Sequence, residues 1–207
     1  VLFADIVDSM TLVSGRDPED ARLLLDGVLG RMMDAVHEWE GTVNQVLGDG
    51  IMALFGAPLA HEDHAVRACR AALRLQALVA AYAADALPQG PQLRVRVGLN
   101  AGEVVVRSIA SDLHMEYTAV GEVTHLAARM EQMATPGTVV ATREVVRLVD
   151  QFVRARPLGT LAVKGLAAPT EVWKILAANP VRTRFEASLQ RGLARFVGRE
   201  AELGALQ

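Results

Sequence analysis

Two aspartates, Asp5 and Asp49, are the residues of this 207-residue chain whose placement best suits chemistry. Asp5 follows the apolar run Val1–Ala4, as an acid at the exit of a buried strand does. Asp49 stands between two apolar runs, Val43–Leu47 and Ile51–Phe55, inside Gly48-Asp49-Gly50, the strongest short-range signal for a hairpin. Adjacent strands of one sheet could bring the two carboxylates together. Paired carboxylates at a sheet edge suit Mg²⁺, a hard cation that takes one or two carboxylates and completes its shell with water and substrate phosphate. Two such ions about 4 Å apart serve in-line phosphoryl displacement. The stretch Ile6-Val7-Asp8-Ser9-Met10-Thr11 could add backbone N–H groups and the hydroxyls of Ser9 and Thr11 around phosphate oxygens. The same two aspartates also have a plain structural reading, Asp49 as a turn former beside glycine and Asp5 as a cap in the following loop.

The elements that must position them can be read from patterning. Asp17-Pro18-Glu19-Asp20 predicts a helix start, with an N-cap acid, proline in the first turn and acids at the positive end of the dipole. Ala21, Leu24, Leu25, Val28, Met32, Ala35, Val36 and Trp39 continue it at helical spacing, and Gly41 closes it. A second helix is predicted over about 62–82, with Ala65, Val66, Cys69, Ala72, Leu73 and Val79 buried. Leu93, Val95, Val97 and Leu99 alternate with Arg94, Arg96, Gly98 and Asn100, the pattern of a half-buried strand, and Val104–Val106 is expected to continue the sheet. A third helix is predicted over 122–133, and short strands at 138–141, 160–164 and 171–176. Strand, helix, hairpin, helix, strand gives an α/β (α+β) sandwich with a ferredoxin-like βαββαβ core, a mainly antiparallel sheet and helices on one face.

Composition narrows the function class. A formal net charge of −3 gives no global attraction to nucleic acid or anionic membrane, so any nucleotide site must be built locally. One cysteine, Cys69, excludes a disulfide framework and fits a reducing, cytoplasmic setting. No apolar run is long enough to span a bilayer. The opening on Val1-Leu2-Phe3-Ala4 reads as a strand cut from a longer protein. From Asn179 onward Arg182, Arg184, Arg191, Arg195 and Arg199 fall in a stretch of little apolar periodicity, so one folded domain is placed at 1–177 and a linker at 178–207.

At this point four ordered segments resemble the class III adenylyl/guanylyl cyclase catalytic domain. They are Phe3-Ala4-Asp5-Ile6-Val7-Asp8-Ser9-Met10-Thr11, Gly48-Asp49-Gly50-Ile51-Met52-Ala53-Leu54-Phe55-Gly56, Val97-Gly98-Leu99-Asn100-Ala101-Gly102-Glu103-Val104-Val105 and Leu126-Ala127-Ala128-Arg129-Met130-Glu131. The resemblance implies conversion of ATP, or of GTP, to its 3′,5′-cyclic monophosphate with release of pyrophosphate, for intracellular signalling. It implies two Mg²⁺ or Mn²⁺ ions held by Asp5, Asp49 and the backbone carbonyl of Ile6, at sites formed between the two chains of a homodimer. It makes Arg129 the transition-state arginine. Gln45 stands where adenylyl cyclases usually carry a base-reading lysine, Thr118 at the partner base-reading position, and His125 in place of the transition-state asparagine. An amide at position 45 can donate to N1 and accept from the amine of adenine, which favours ATP, yet it can also flip to meet guanine. Lys164 matches a late lysine that contacts triphosphate. Gln45 and His125 leave a second reading open, a catalytically weak or silent dimerisation and nucleotide-binding module. Phe196-Val197-Gly198-Arg199-Glu200 resembles the lead-in to an AAA/STAND-type ATPase module.

Other candidates are read as structural. His61-Glu62-Asp63-His64 is taken as a helix start with exposed histidines rather than a zinc site. His37 is assigned to the surface, Met32, Met33, Met130 and Met133 to the core, and Asp8 to a solvated loop.

Overall fold

The computed structural model describes residues 1–88, 92–111, 114–120, 122–162 and 169–180, with the backbone course alone for 105–111, 114–120 and Leu161. Lys164 and the Phe196–Glu200 segment lie outside the described residues.

The chain runs β1 (Leu2–Ile6), α1 (Ser9–Val13), α2 (Pro18–Glu38), β2 (Thr42–Leu47), β3 (Gly50–Leu54), α3 (His64–Ala86), β4 (Val95–Leu99), β5 (Val105–Ser111), β6 (His114–Val120), α4 (Glu122–Met133), β7 (Val139–Thr142), α5 (Arg143–Val149), β8 (Val153–Leu161) and β9 (Thr170–Ala178). A seven-stranded sheet has the order β2-β3-β1-β4-β7-β9-β8. Every pairing is antiparallel except β4 with β7. The predicted βαββαβ unit is β1-α2-β2-β3-α3-β4, with β1 and β3 at its centre.

The helices form where their ends are chemically marked. Asp17 accepts from the Glu19 N–H at 2.9 Å, Pro18 opens α2, and Glu19 and Asp20 lie in its first turn. The buried stripes of α2 (Leu24, Val28, Met32, Val36) and α3 (Val66, Cys69, Leu75, Val79) pack on the sheet face carrying Leu2, Ala4, Ile6, Ile51, Ala53, Val95, Val97 and Leu99. Met130 is likewise fully buried, and Met33 and Met133 pack at the edge of the core, as their spacing suggests.

Three expectations are corrected. First, the fold class holds, but helices cover both faces. α4 crosses the face opposite α2 and α3, with Met130 and Ala134 packed on Val140 and Val172. Gly98 makes this possible, because a Cβ there would lie 2.1 Å from the Glu131 nitrogen and 2.3 Å from the Ala127 carbonyl oxygen. α4 is also the crossover that a parallel β4–β7 pair requires. Second, Val104–Val106 does not extend the main sheet; β5 pairs with β6 in a separate two-stranded ribbon. Third, the Ile6–Thr11 stretch contains a helical turn, because the Asp8 carbonyl accepts from Thr11 and Leu12 at 2.9 and 3.1 Å. In addition β8 starts at Val153, before the predicted 160, and α5 was not foreseen in the sequence.

Asn100, which alternation places on the polar face of β4, is 4% exposed. Its Nδ2 donates to the Val123 carbonyl at 3.0 Å and its Oδ1 accepts from the fully buried Thr142 hydroxyl at 2.7 Å. It ties the start of α4 to the ends of β4 and β7. Asn100→Ala orphans both partners, and is expected to cost about 2 kcal/mol, read as a lower urea midpoint at unchanged slope.

Candidate active site

Asp5 occupies the C-terminal end of β1, between Gly50 of β3 and Arg96 of β4. Asp49 sits in the two-residue turn between β2 and β3, with its carbonyl accepting from the Ile6 N–H at 3.2 Å. The turn's need for positive φ is met at Gly48 (φ 68°), and Asp49 is not among the positive-φ residues. A glycine at the first central position is what a type II′ hairpin turn demands. The turn accommodates an aspartate after that glycine but does not require one, so turn geometry alone does not demand the Asp49 carboxyl. Gly50 must be small for the same assembly, since a Cβ there would lie 2.8 Å from Asp5 Oδ1 and 2.6 Å from the Ala4 carbonyl oxygen.

The Ser9 hydroxyl donates to Asp49 Oδ2, so it orients that carboxylate rather than facing solvent. Thr11 is exposed on α1. Ile6 is buried, so only its backbone can serve a ligand.

Burial raises the Asp5 carboxyl above its ordinary value, and the neighbouring Asp49 raises it further through its charge and a shared hydrogen bond. Arg96 opposes both, with Nη2 3.2 Å from Asp5 Oδ2. Two carboxyls pressed together in this way call for positive charge. Two hard oxygen donors with a nearby backbone suit Mg²⁺ or Mn²⁺, whose remaining positions go to water and phosphate. Among the described residues no group of three metal-ligating side chains could hold an ion together.

Sequence reasoning missed two residues. Arg96 reaches past Asp5 to Glu131 on α4, its Nε 3.0 Å from Glu131 Oε1. The two atoms face each other without the alignment of a hydrogen bond, so the contact is ionic. Burial pushes the Glu131 carboxyl up to about 7, Arg96 pulls it back, and Asp5 and Asp49 add to the rise. The only sequence signal was Gly98, a strand glycine of the kind that marks close backbone approach.

The base-reading and transition-state candidates lie on β2, β6 and α4 and make no contact in this cluster that the structure describes. Gln45 lies on edge strand β2, exposed. A register shift between Val43 and Gln45 pairs Val43 with Ala53 on the face covered by α2 and α3, then Gln45 with Met52. Met52 packs with Phe3 on the opposite face, which is also the face of Asp5. The bulge thus aims Gln45 to the Asp5 side. Thr118 lies in β6 opposite Arg107. On α4, His125 is exposed and Arg129 half-buried, its Nη1 donating to Gln132 at 2.6 Å, while Leu126, Met130 and Met133 face the sheet.

His61 and His64 are half-buried rather than exposed; His61 Nε2 lies 3.5 Å from Glu40, and Asp63 pairs with Arg67 at 2.7 Å. His37 is exposed.

The family model for the adenylate and guanylate cyclase catalytic domain matches residues 1–177. The chain belongs to that family. This cyclase domain is 35% identical over 181 residues to "Adenylate cyclase 1" of Rhizobium meliloti (strain 1021), a match covering 84% of the chain and 27% of that protein. It therefore spans about a quarter of the length of that relative. Among solved structures it resembles the adenylyl cyclase CyaB from P. aeruginosa, with TM-score 0.80 and 26% identity over 86% of this chain and 93% of that one. It resembles the guanylyl cyclase Cya2 almost equally, with TM-score 0.79 and 28% identity over 86% and 91%. No helix among the described residues is long and apolar enough to cross a membrane.

Proposed function

We propose that this cyclase domain converts ATP to 3′,5′-cyclic AMP and pyrophosphate, in the cytoplasm, at sites shared by two copies of the chain. The observation that carries the reading is the Asp5–Asp49 pair, in which a turn that does not need an acid drives a carboxyl against a second one. Divalent cations held by Asp5, Asp49 and the Ile6 carbonyl would supply Lewis acidity to the ribose 3′-hydroxyl and the phosphate oxygens. In the reaction the 3′-oxygen loses its proton and bonds to the α-phosphorus, while the bond from that phosphorus to the β-phosphate bridging oxygen breaks and pyrophosphate leaves.

The chain's own side chains divide the remaining work. Ser9 fixes the Asp49 carboxylate. Arg129 sets positive charge against the phosphoryl group in the transition state. His125, one helical turn earlier, donates to the ribose. Gln45 reads adenine with donor and acceptor together, with Thr118 accepting from the exocyclic amine, and Lys164 contacts the triphosphate. Gln45 and His125 are exposed, as expected of half-sites that a second chain completes. The exposed Val46 and Leu47 beside Gln45, 53% and 47% accessible, supply apolar surface for that contact.

Two structural neighbours of nearly equal likeness carry opposite base preferences, so substrate is the point to test. Purified protein with Mn²⁺ or Mg²⁺ and either ATP or GTP is expected to yield cyclic AMP in excess over cyclic GMP, resolved by chromatography. Excess cyclic GMP reverses the base assignment. No product from either nucleotide makes the domain a silent nucleotide-binding module, and Gln45→Lys with His125→Asn then identifies the limiting position.

A further inference from the structure

Arg96 carries a permanent positive charge and touches two acids with different fates. Its Nη2 lies 3.2 Å from Asp5 Oδ2, and its Nε lies 3.0 Å from Glu131 Oε1. A guanidinium resting on Asp5 competes with any cation for the same oxygen. To yield that oxygen it must hold on elsewhere, and with 29% of its side chain accessible, water compensates only in part. Glu131 is the available partner. Its side chain is 10% accessible, and its backbone nitrogen is seated on Gly98, so its carboxylate is a fixed point on the underside of α4.

We propose that Glu131 is a positioning residue for the metal-binding Asp5, acting through Arg96 as the second anchor of its guanidinium. With Glu131 in place, Arg96 swings its share of charge from Asp5 toward α4 when a cation arrives. Without it, Asp5 is the one acid left to Arg96, and a metal must displace the guanidinium outright. Because Glu131 and Arg129 share α4, the same contact sets the distance between the metal-binding carboxylates and the helix that carries the transition-state arginine. The inference rests on reading Asp5 and Asp49 as the metal site.

The test is a double-substitution cycle read as Mn²⁺ affinity, by electron paramagnetic resonance of the free ion at pH 8, where Glu131 is mostly ionised. Glu131→Gln is expected to raise the Kd about five-fold, and Arg96→Gln to lower it. In the Arg96→Gln background, Glu131→Gln is expected to change the Kd less than about two-fold, since the intermediary is gone. Glu131→Asp restores charge but is one methylene short, so partial recovery is expected. Equal weakening in both backgrounds, or full recovery with aspartate, would mean a long-range field and overturn the proposal. An unchanged Kd in Glu131→Gln overturns it as well. Circular dichroism checks folding, which the isosteric amide should preserve because ionisation of buried Glu131 is itself unfavourable. If Asp49→Asn leaves wild-type Mn²⁺ binding untouched, the metal reading of the site fails instead.

Discussion

Asp49→Asn is expected to reduce cyclic-nucleotide formation by at least about 10³-fold while making the metal-free domain more stable. The first effect follows from losing one of two carboxylates, which removes about 4 kcal/mol of charge stabilisation on attacking and leaving oxygens. The second follows from the electrostatics of the pair. Burial and Asp49 together raise the folded-state value of Asp5 above the ordinary 3.8. A raised acid binds its proton more readily folded than unfolded, so wild-type stability falls as pH climbs from that ordinary value through the raised one. In the amide variant the Asp49 charge is gone and only burial remains to raise Asp5, so the decline is shallower. At pH 8 the variant should be more stable than wild type, and at pH 4 the two should converge. Urea midpoints at both pH values, with product assays on the same preparations, check both halves. Loss of activity together with loss of stability would mean that Asp49 is a structural turn residue after all.

The nearness of Asp5 and Asp49 could be read from the sequence because neither stands where local structure requires an acid. A site acid is conspicuous where local structure does not require it, and Asp49 stands in a turn whose conformational demand falls on Gly48. Asp5 was legible because a strand of Val, Leu, Phe and Ala has no packing use for a carboxylate at its end. α2 and α4 were legible for a different reason, since Asp17-Pro18 and the Leu126, Met130, Met133 spacing are local signals that tertiary packing had no cause to override. The βαββαβ core followed from the order of such signals, because short connections leave few ways to join two helices and a hairpin.

What was hidden depends on contacts between distant segments. Arg94, Arg96, Gly98 and Asn100 read as one solvated face by alternation, yet α4 lies over Gly98 and beside Asn100. Period-two patterning reports that a face is not apolar, and cannot distinguish water from a helix docked through glycine and hydrogen bonds. Glu131 was invisible for the matching reason: an acid on an amphipathic helix is normally solvated, and only the register of α4 on β4 brings it to Arg96. The bulge that turns Gln45 to the Asp5 side leaves no mark in the sequence either, since nothing in Val43-Asn44-Gln45 announces an extra residue.

Gly98→Val is expected to have the second largest effect, on both stability and activity, because it acts on the contact that sequence patterning could not see. The new Cβ would meet two backbone atoms, the Glu131 nitrogen at 2.1 Å and the Ala127 carbonyl oxygen at 2.3 Å. Neither can turn away as a side chain would, so α4 must retreat by an ångström or more to restore ordinary van der Waals spacing. Retreat opens a gap between Met130 and Ala134 on one side and Val140 and Val172 on the other, adding a void to the steric clash. Overpacking of this kind costs about 1–3 kcal/mol, and the lost packing brings the expected total to about 4 kcal/mol. The same displacement carries Glu131 from Arg96 and moves Arg129 relative to Asp5 and Asp49. A misplacement near 1 Å lowers catalysis about 10²-fold, so cyclic-nucleotide formation should fall by at least that factor in protein that is still folded by circular dichroism at low temperature. Gly98→Ala presents the same Cβ without the two methyl groups and should show a smaller version of both effects. If alanine is tolerated with full activity, α4 is not held at the close approach that positions Arg129, and the proposed route from the strand glycine to Arg129 is broken.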